Sequence, residues 1–357
     1  LFRHNFAELP RHTLVRQPSG YCVRTEKESV MGGKFLSLLA AVVLSTSASA
    51  APLSAPSQTF VQAPGPLGPL KGTMLAPAGG NAPMVLIIPG SGPTDRDGNN
   101  PLGVKASSYR LLAEGLAAHD IGTVRIDKRG MFGSSTAVAD GNAVTIDDYA
   151  ADVQSWIAVI RKQTGVPCVW VLGHSEGGLV ALAAAQKVTD ICGVVLIATA
   201  GRPLGQVMRA QLKSNPANAP ILDQAMAALD ALEAGKHVDV ANMHPALRQL
   251  FAPQVQDFLI NELACDPAKL IAAVGKPVLI MQGKRDMQVS VADAERLKQA
   301  APKAELVVLP DANHVLKAVA TDDRRANMAA YMDPTLPLAP GVVEAIANFI
   351  AGPVQSR

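Results

Sequence analysis

The run Gly173-His174-Ser175-Glu176-Gly177-Gly178 constrains the fold of this chain more than any other segment. It follows an apolar stretch, Val169 to Leu172, and precedes the helix-forming run Leu179 to Ala185. The order this dictates is strand, sharp turn, helix, with Ser175 at the apex. A strand that turns directly into a helix presses the apex backbone against its neighbours, so the positions two before and two after must be small. The helix that begins there aims unpaired N–H groups at the serine, where a negative oxygen can be held.

Similar apolar runs recur at Met84–Ile88, Thr123–Ile126, Val194–Ile197, Val278–Met281 and Leu306–Leu309, and Leu70–Pro77 reads as an earlier strand. Runs that are continuous rather than alternating suit strands buried on both faces of a parallel sheet. Helical segments separate them at Tyr109–His119, Thr145–Thr164, after Ser175 and at Asp293–Ala301, with a last one at Gly341–Ile350. In the second, Tyr149, Val153, Trp156, Ile157 and Ile160 fall at helical spacing, and Asp147 and Asp148 sit favourably near its start. Such alternation predicts an α/β architecture with helices on both faces and a site at the carboxyl ends of the strands. Residues 201–273 break the pattern with no convincing strand. Met208, Met226 and Met243 lie there among helix formers punctuated by Pro216, Pro220, Pro245 and Pro253. They read as a helical cap inserted into a core made of residues 51–200 and 274–357. The cap's apolar residues either shape a pocket or form a small core of their own.

The first 30 residues are polar, basic and aperiodic. Met31-Gly32-Gly33-Lys34, the apolar run Phe35–Leu44 and Ala48-Ser49-Ala50 then read as a signal peptide over residues 31–50, with residues 1–30 as an upstream extension. The apolar run is shorter than the roughly 20 residues that span a bilayer, and no cysteine follows it to take a lipid, so no stable membrane anchor is expected. The expectation is an exported protein, periplasmic or secreted, cut near Ala50. Residues 51–69, rich in Pro, Ala and Ser, read as a loose leader. From residue 51 onward 26 Lys and Arg face 27 Asp and Glu, a formal charge of −1, and nothing points to a nucleic-acid partner. Three cysteines remain after residue 50: Cys168, Cys192 and Cys265. Buried free thiols acting as small hydrophobes are expected, although Cys168 and Cys192 start two strands that should be neighbours, where a disulfide is geometrically open. No Cys or His spacing suits a metal.

A serine hydroxyl needs a base to take its proton, and the base needs an orienting carboxylate. Of the five histidines after residue 50, His119 closes a helix, His174 lies inside the turn with its side chain expected to point away, and His237 and His244 fall in the insertion. Only His314 follows a strand, which makes it the candidate base. The carboxylate should lie between Ser175 and His314 at another strand end, and Asp286, 28 residues before His314, meets that condition. Asp311 is the rival, poorly placed because it shares the histidine's loop. The oxyanion needs two N–H groups. Glu176, next after the serine, offers one. The loop Pro89-Gly90-Ser91-Gly92-Pro93 offers the other, at Ser91 ahead of Gly92.

The acidic stretch Thr94–Asn100 fails as a calcium loop, because its glycine comes early and its twelfth position is Ala106 rather than Glu. Asp and Asn there are expected to stiffen the loop by bonding its own backbone. Asp127-Lys128-Arg129-Gly130 ends a strand, and Arg129 is expected in a structural ion pair.

Pro89 to Gly92, Asp127 to Gly133, Gly173 to Gly178, Gly283 to Asp286 and Asn313-His314 together resemble the α/β-hydrolase superfamily over about residues 65–351. Gly90 to Asn99 and the Gly-His-Ser-Glu-Gly-Gly run look like an exported bacterial branch described as esterase-like or serine aminopeptidase-like. The resemblance implies an eight-stranded, mostly parallel sheet, a Ser175–Asp286–His314 triad and no cofactor. The chain has Pro89-Gly90 where many members have His-Gly, which bears on the oxyanion amide and not on the mechanism. The expected function is a carboxylesterase acting on small-molecule esters of small to medium acyl groups. Two alternatives stay open: a peptidase using a cap acid such as Glu233, Asp257 or Glu262 to hold a terminal amine, and a non-catalytic binding protein.

Overall fold

Eight strands form one sheet in a computed structural model that describes residues 57–77 and 82–352. They are β1 (Ser57–Ala63), β2 (Leu70–Ala76), β3 (Met84–Ile88), β4 (Gly122–Ile126), β5 (Val169–His174), β6 (Ile191–Ile197), β7 (Val278–Gly283) and β8 (Glu305–Leu309). Their order across the sheet is β1-β2-β4-β3-β5-β6-β7-β8. β1 and β2 pair antiparallel with each other, as does β2 with β4, while every pair from β4 through β8 is parallel. The central parallel strands β3, β5, β6 and β7 are mostly apolar without alternation because both of their faces are covered.

Eleven α-helices accompany the strands among the described residues: α1 (Ser108–Ala117), α2 (Ile146–Thr164), α3 (Glu176–Ala185), α4 (Leu204–Ser214), α5 (Leu222–Glu233), α6 (Pro245–Leu250), α7 (Gln256–Leu263), α8 (Pro267–Ala272), α9 (Val291–Ala300), α10 (Arg324–Ala330) and α11 (Val342–Ala351). On one face of the sheet α2, α3, α8 and α9 bury Trp156, Val180, Ile271 and Leu297. On the other, α1 and α11 bury Leu112, Leu116 and Ile346. The start of α2 follows from its sequence. Thr145 Oγ1 accepts from the Asp148 N–H, and the Asp148 carboxylate accepts from the Thr145 N–H, a reciprocal cap that satisfies two otherwise unpaired donors. After Glu176, α3 is apolar on all sides, and all but its last residue is buried.

Three features differ from the sequence reading. Within the stretch read as a leader, residues 57–63 form edge strand β1, whose four leading residues are exposed, so no apolar run announced it. Residues 201–265 hold a helical unit with its own core of Leu229, Leu232, Leu247 and Phe251, against which Met208, Met226 and Met243 pack. Its expected last part, α8, instead buries Ile271 in the main core. Finally, Cys168 and Cys192 are disulfide-bonded, with Cα atoms 5.2 Å apart, and only Cys265 is free among the described residues. Parallel pairing of β5 with β6 brings the two strand starts together, as the sequence predicted, and the bond it left open is formed. The segments read as a signal peptide and an upstream extension, residues 1–50, lie outside the described residues. No described helix is long and apolar enough to cross a membrane.

The disulfide spans a separation of 24 residues and closes β5, Ser175, α3 and the start of β6 into a covalent loop. Replacing Cys168 and Cys192 by alanine is expected to lower the free energy of unfolding by about 3 kcal/mol, on the loop-entropy account of cross-links. Urea unfolding of parent and variant measures it, and equal stability would mean the bond constrains nothing.

Candidate active site

Every residue the sequence nominated follows the carboxyl end of a parallel strand. Ser91 follows β3, Ser175 and Glu176 follow β5, Asp286 follows β7 and His314 follows β8. Parallel pairing sets these ends side by side, with Ile88 opposite Gly173 and Gly283 opposite Leu309.

Ser175 has φ 55° and ψ −120°, an unusual conformation for a residue with a side chain. The surroundings enforce it. A side chain at Gly173 would overlap the Gly177 carbonyl, and one at Gly177 would overlap the Ile88 carbonyl. The Ser175 N–H donates to the Ile197 carbonyl at 2.8 Å, which ties the turn to β6. Glu176 is the first residue of α3, so its N–H has no acceptor within the helix.

The structure brings Asp286 and His314 together, with His314 Nδ1 2.8 Å from Asp286 Oδ2. The Asp286 side chain is fully buried. Its Oδ1 accepts from the N–H groups of Gln288 and Val289 at 2.7 and 3.0 Å, and its Oδ2 also accepts from Gln282 Nε2 at 3.1 Å. Burial alone raises a carboxyl, but the charge and hydrogen bond of His314 and the two backbone donors outweigh it and hold Asp286 below the ordinary value. Asp311 is exposed on the loop that carries His314.

His174 does more than the sequence reading allowed. Its Nε2 lies 2.8 Å from the His314 carbonyl oxygen and its Nδ1 2.8 Å from the Tyr109 hydroxyl. A carbonyl only accepts, so Nε2 carries the proton and Nδ1 accepts from Tyr109. The Tyr109 oxygen in turn accepts from the Gly90 N–H at 3.0 Å. One bonded chain thus links the loop after β3, helix α1, the serine turn and the histidine loop. Burial, then the nearby His314 charge, pushes His174 down to about 3, so it is neutral at any working pH. Burial raises the Tyr109 phenol and keeps its proton in place.

A second buried group lies behind the serine turn. Lys128 Nζ is 2.6 Å from Glu176 Oε1 and 2.8 Å from the Gly90 carbonyl oxygen. Glu262 on α7 is buried beside this pair. Burial, then the Glu176 charge, pushes its carboxyl well above the usual range, with Lys128 offsetting part of the effect. Neither Lys128 nor His174 was assigned this part by the sequence. The charged pair Asp127-Lys128 directly after β4 was the available signal for Lys128.

The neighbouring motifs are structural. Arg129 holds both oxygens of Asp152 at 2.7 Å and Asp148 Oδ1 at 3.0 Å, joining the end of β4 to α2. Asp127 accepts from the Arg96 guanidinium and from the Arg96 and Gly133 N–H groups. Asp95 accepts from the N–H groups of Asp97 and Asn99, each at 2.8 Å, so it holds its own loop. Of the cap acids, Glu233 pairs with Arg209 and Asp257 with His237.

Comparison with known proteins bears on the family and the fold. Residues 85–331 match the model of the alpha/beta hydrolase family. The esterase EstD of Thermotoga maritima is 29% identical over 255 residues, 69% of this chain, and the aligned part spans 58% of that relative's length. Among solved structures, Est1E from Butyrivibrio proteoclasticus superposes with a TM-score of 0.51 at 14% identity, covering 82% of this chain and 99% of that one, a likeness of fold alone. With its strained serine turn, its strand order and a family match across most of its length, the chain belongs to the alpha/beta hydrolase family.

Proposed function

We propose that the protein is a serine carboxylesterase that cleaves small-molecule esters of small to medium acyl groups through an acyl-enzyme. The observation that carries the reading is the 2.8 Å bond between the fully buried Asp286 carboxylate and His314, a histidine whose carbonyl is tied to the residue preceding Ser175. Asp286 holds the proton on Nδ1, which leaves Nε2 of His314 as the basic nitrogen. That nitrogen takes the Ser175 proton as the oxygen attacks the ester carbonyl. The Ser91 and Glu176 N–H groups receive the oxyanion. His314 then gives its proton to the departing alcohol, and a water activated by the same nitrogen releases the acid. The resemblance to an esterase supports esters as the substrate class. The Cys168–Cys192 disulfide supports export to an oxidising compartment, since such bonds persist there.

The full chain is expected to hydrolyse p-nitrophenyl acetate and butyrate, to leave aminoacyl p-nitroanilides uncleaved, and to be labelled by a fluorophosphonate at Ser175. Faster turnover of the anilides would replace this reading with a peptidase. An inert, unlabelled protein would leave a binding role.

A further inference from the structure

The two N–H groups assigned to the oxyanion belong to different segments, one after β3 and one after β5, and a single ammonium donates to an oxygen of each segment. Lys128 follows β4, which lies beside β3 in the sheet, and its side chain is 2% exposed. Nζ donates to the Gly90 carbonyl oxygen at 2.8 Å and to Glu176 Oε1 at 2.6 Å. It also sits 5.1 Å from the centre of the Tyr149 ring. The Gly90 carbonyl and the Ser91 N–H are the two ends of one peptide unit. That unit is planar and trans, so the N–H points opposite to the C=O. Holding the oxygen on Lys128 therefore sets the direction of the Ser91 N–H on the other side. A positive charge at the oxygen also draws electron density through the amide and strengthens that N–H as a donor. The need for an external grip is plain from the loop itself, since Ser91 and Gly92 are exposed at its tip.

We propose that Lys128 is a positioning residue that sets the oxyanion hole, aligning the Gly90–Ser91 peptide against the Glu176 turn from behind. The proposal rests on the serine-hydrolase reading above. It differs from a plain structural ion pair in what it predicts. An ion pair contributes stability. A positioning residue for the oxyanion acts on the transition state, so its loss lowers kcat and leaves KM nearly unchanged.

Lys128→Met alone strands the buried Glu176 charge and is expected to lower stability. The double variant Lys128→Met/Glu176→Gln removes that charge while keeping the Glu176 N–H, and its unfolding midpoint is expected to recover. With p-nitrophenyl butyrate, kcat of the double variant is expected to stay about 10- to 100-fold below the parent, with KM within about twofold. The inhibition constant of a trifluoromethyl ketone, which forms an oxyanion on the serine, should rise by a similar factor. Lys128→Arg, which keeps a donor toward Gly90, should recover part of the loss. The proposal falls if the folded double variant keeps kcat and ketone affinity within about threefold of the parent. Ser175→Ala separates the two readings. If Ser175→Ala is inactive and the Lys128 variants are normal, only the role of Lys128 is lost. If Ser175→Ala turns over like the parent, the serine mechanism itself is lost.

Discussion

Asparagine in place of Asp286 is expected to lower kcat by about 10,000-fold while the protein stays folded. The shape of the two residues is nearly the same, so the effect comes from which atoms carry hydrogen. Asp286 Oδ1 accepts two backbone N–H groups, from Gln288 and Val289. Only the oxygen of an asparagine amide can take that place, which turns its NH2 toward the position of Oδ2. There it meets His314 Nδ1 and the Gln282 amide donor. To accept from that NH2, Nδ1 must give up its proton, and the proton moves to Nε2. The nitrogen that should take a proton from Ser175 then already holds one. Steady-state kinetics with p-nitrophenyl acetate, beside an unfolding curve for the purified variant, test this. A variant that keeps more than a tenth of the parent's kcat would remove Asp286 from the mechanism.

The second large effect is a loss of stability in acid that traces to His174. Its imidazole is pushed down to about 3 in the fold, whereas an unfolded histidine titrates near 6.5. Between those values the unfolded chain binds a proton that the native protein does not. Stability therefore falls as pH drops below 6.5, by about 1.4 kcal/mol per unit once well below it. Asp286 does not share this window. Its lowered carboxyl contributes stability above the ordinary value of 3.8, which is lost only below that value. Glu262 acts in the opposite sense. Its raised carboxyl keeps a proton in the fold that the unfolded chain loses above 4.5, so its contribution falls as pH rises. The difference between parent and variant isolates the histidine. His174→Gln retains a donor and an acceptor but does not titrate. Urea unfolding at pH 6.5 and 4.5 is expected to show the parent losing about 2 kcal/mol more than this variant over that step. Parallel losses in the two proteins would mean that His174 is not held neutral.

Much of the architecture was legible from local pattern. The central strands β3, β5, β6 and β7 announced themselves because strands covered on both faces carry nearly unbroken apolar runs. The serine turn announced itself because its geometry tolerates so few residues at Gly173 and Gly177. Edge strand β1 was not legible, since a strand with one exposed edge and a largely exposed surface needs no apolar signature. The Cys168–Cys192 bond was an open alternative until parallel pairing joined the two strand starts.

The sequence by itself determined the layered α/β plan, the serine at the apex of a tight turn, and the histidine and aspartate nominated by chain order. Those properties are written in contiguous residues or in their succession along the chain. Only the tertiary structure decided that the Asp286 carboxylate sits 2.8 Å from His314 Nδ1, that His174 bridges Tyr109 to the His314 carbonyl, and that Lys128 reaches Gly90 and Glu176 together. Each of these bonds joins segments that are far apart in sequence. Their partners are chosen by sheet order and side-chain reach, which no local pattern encodes.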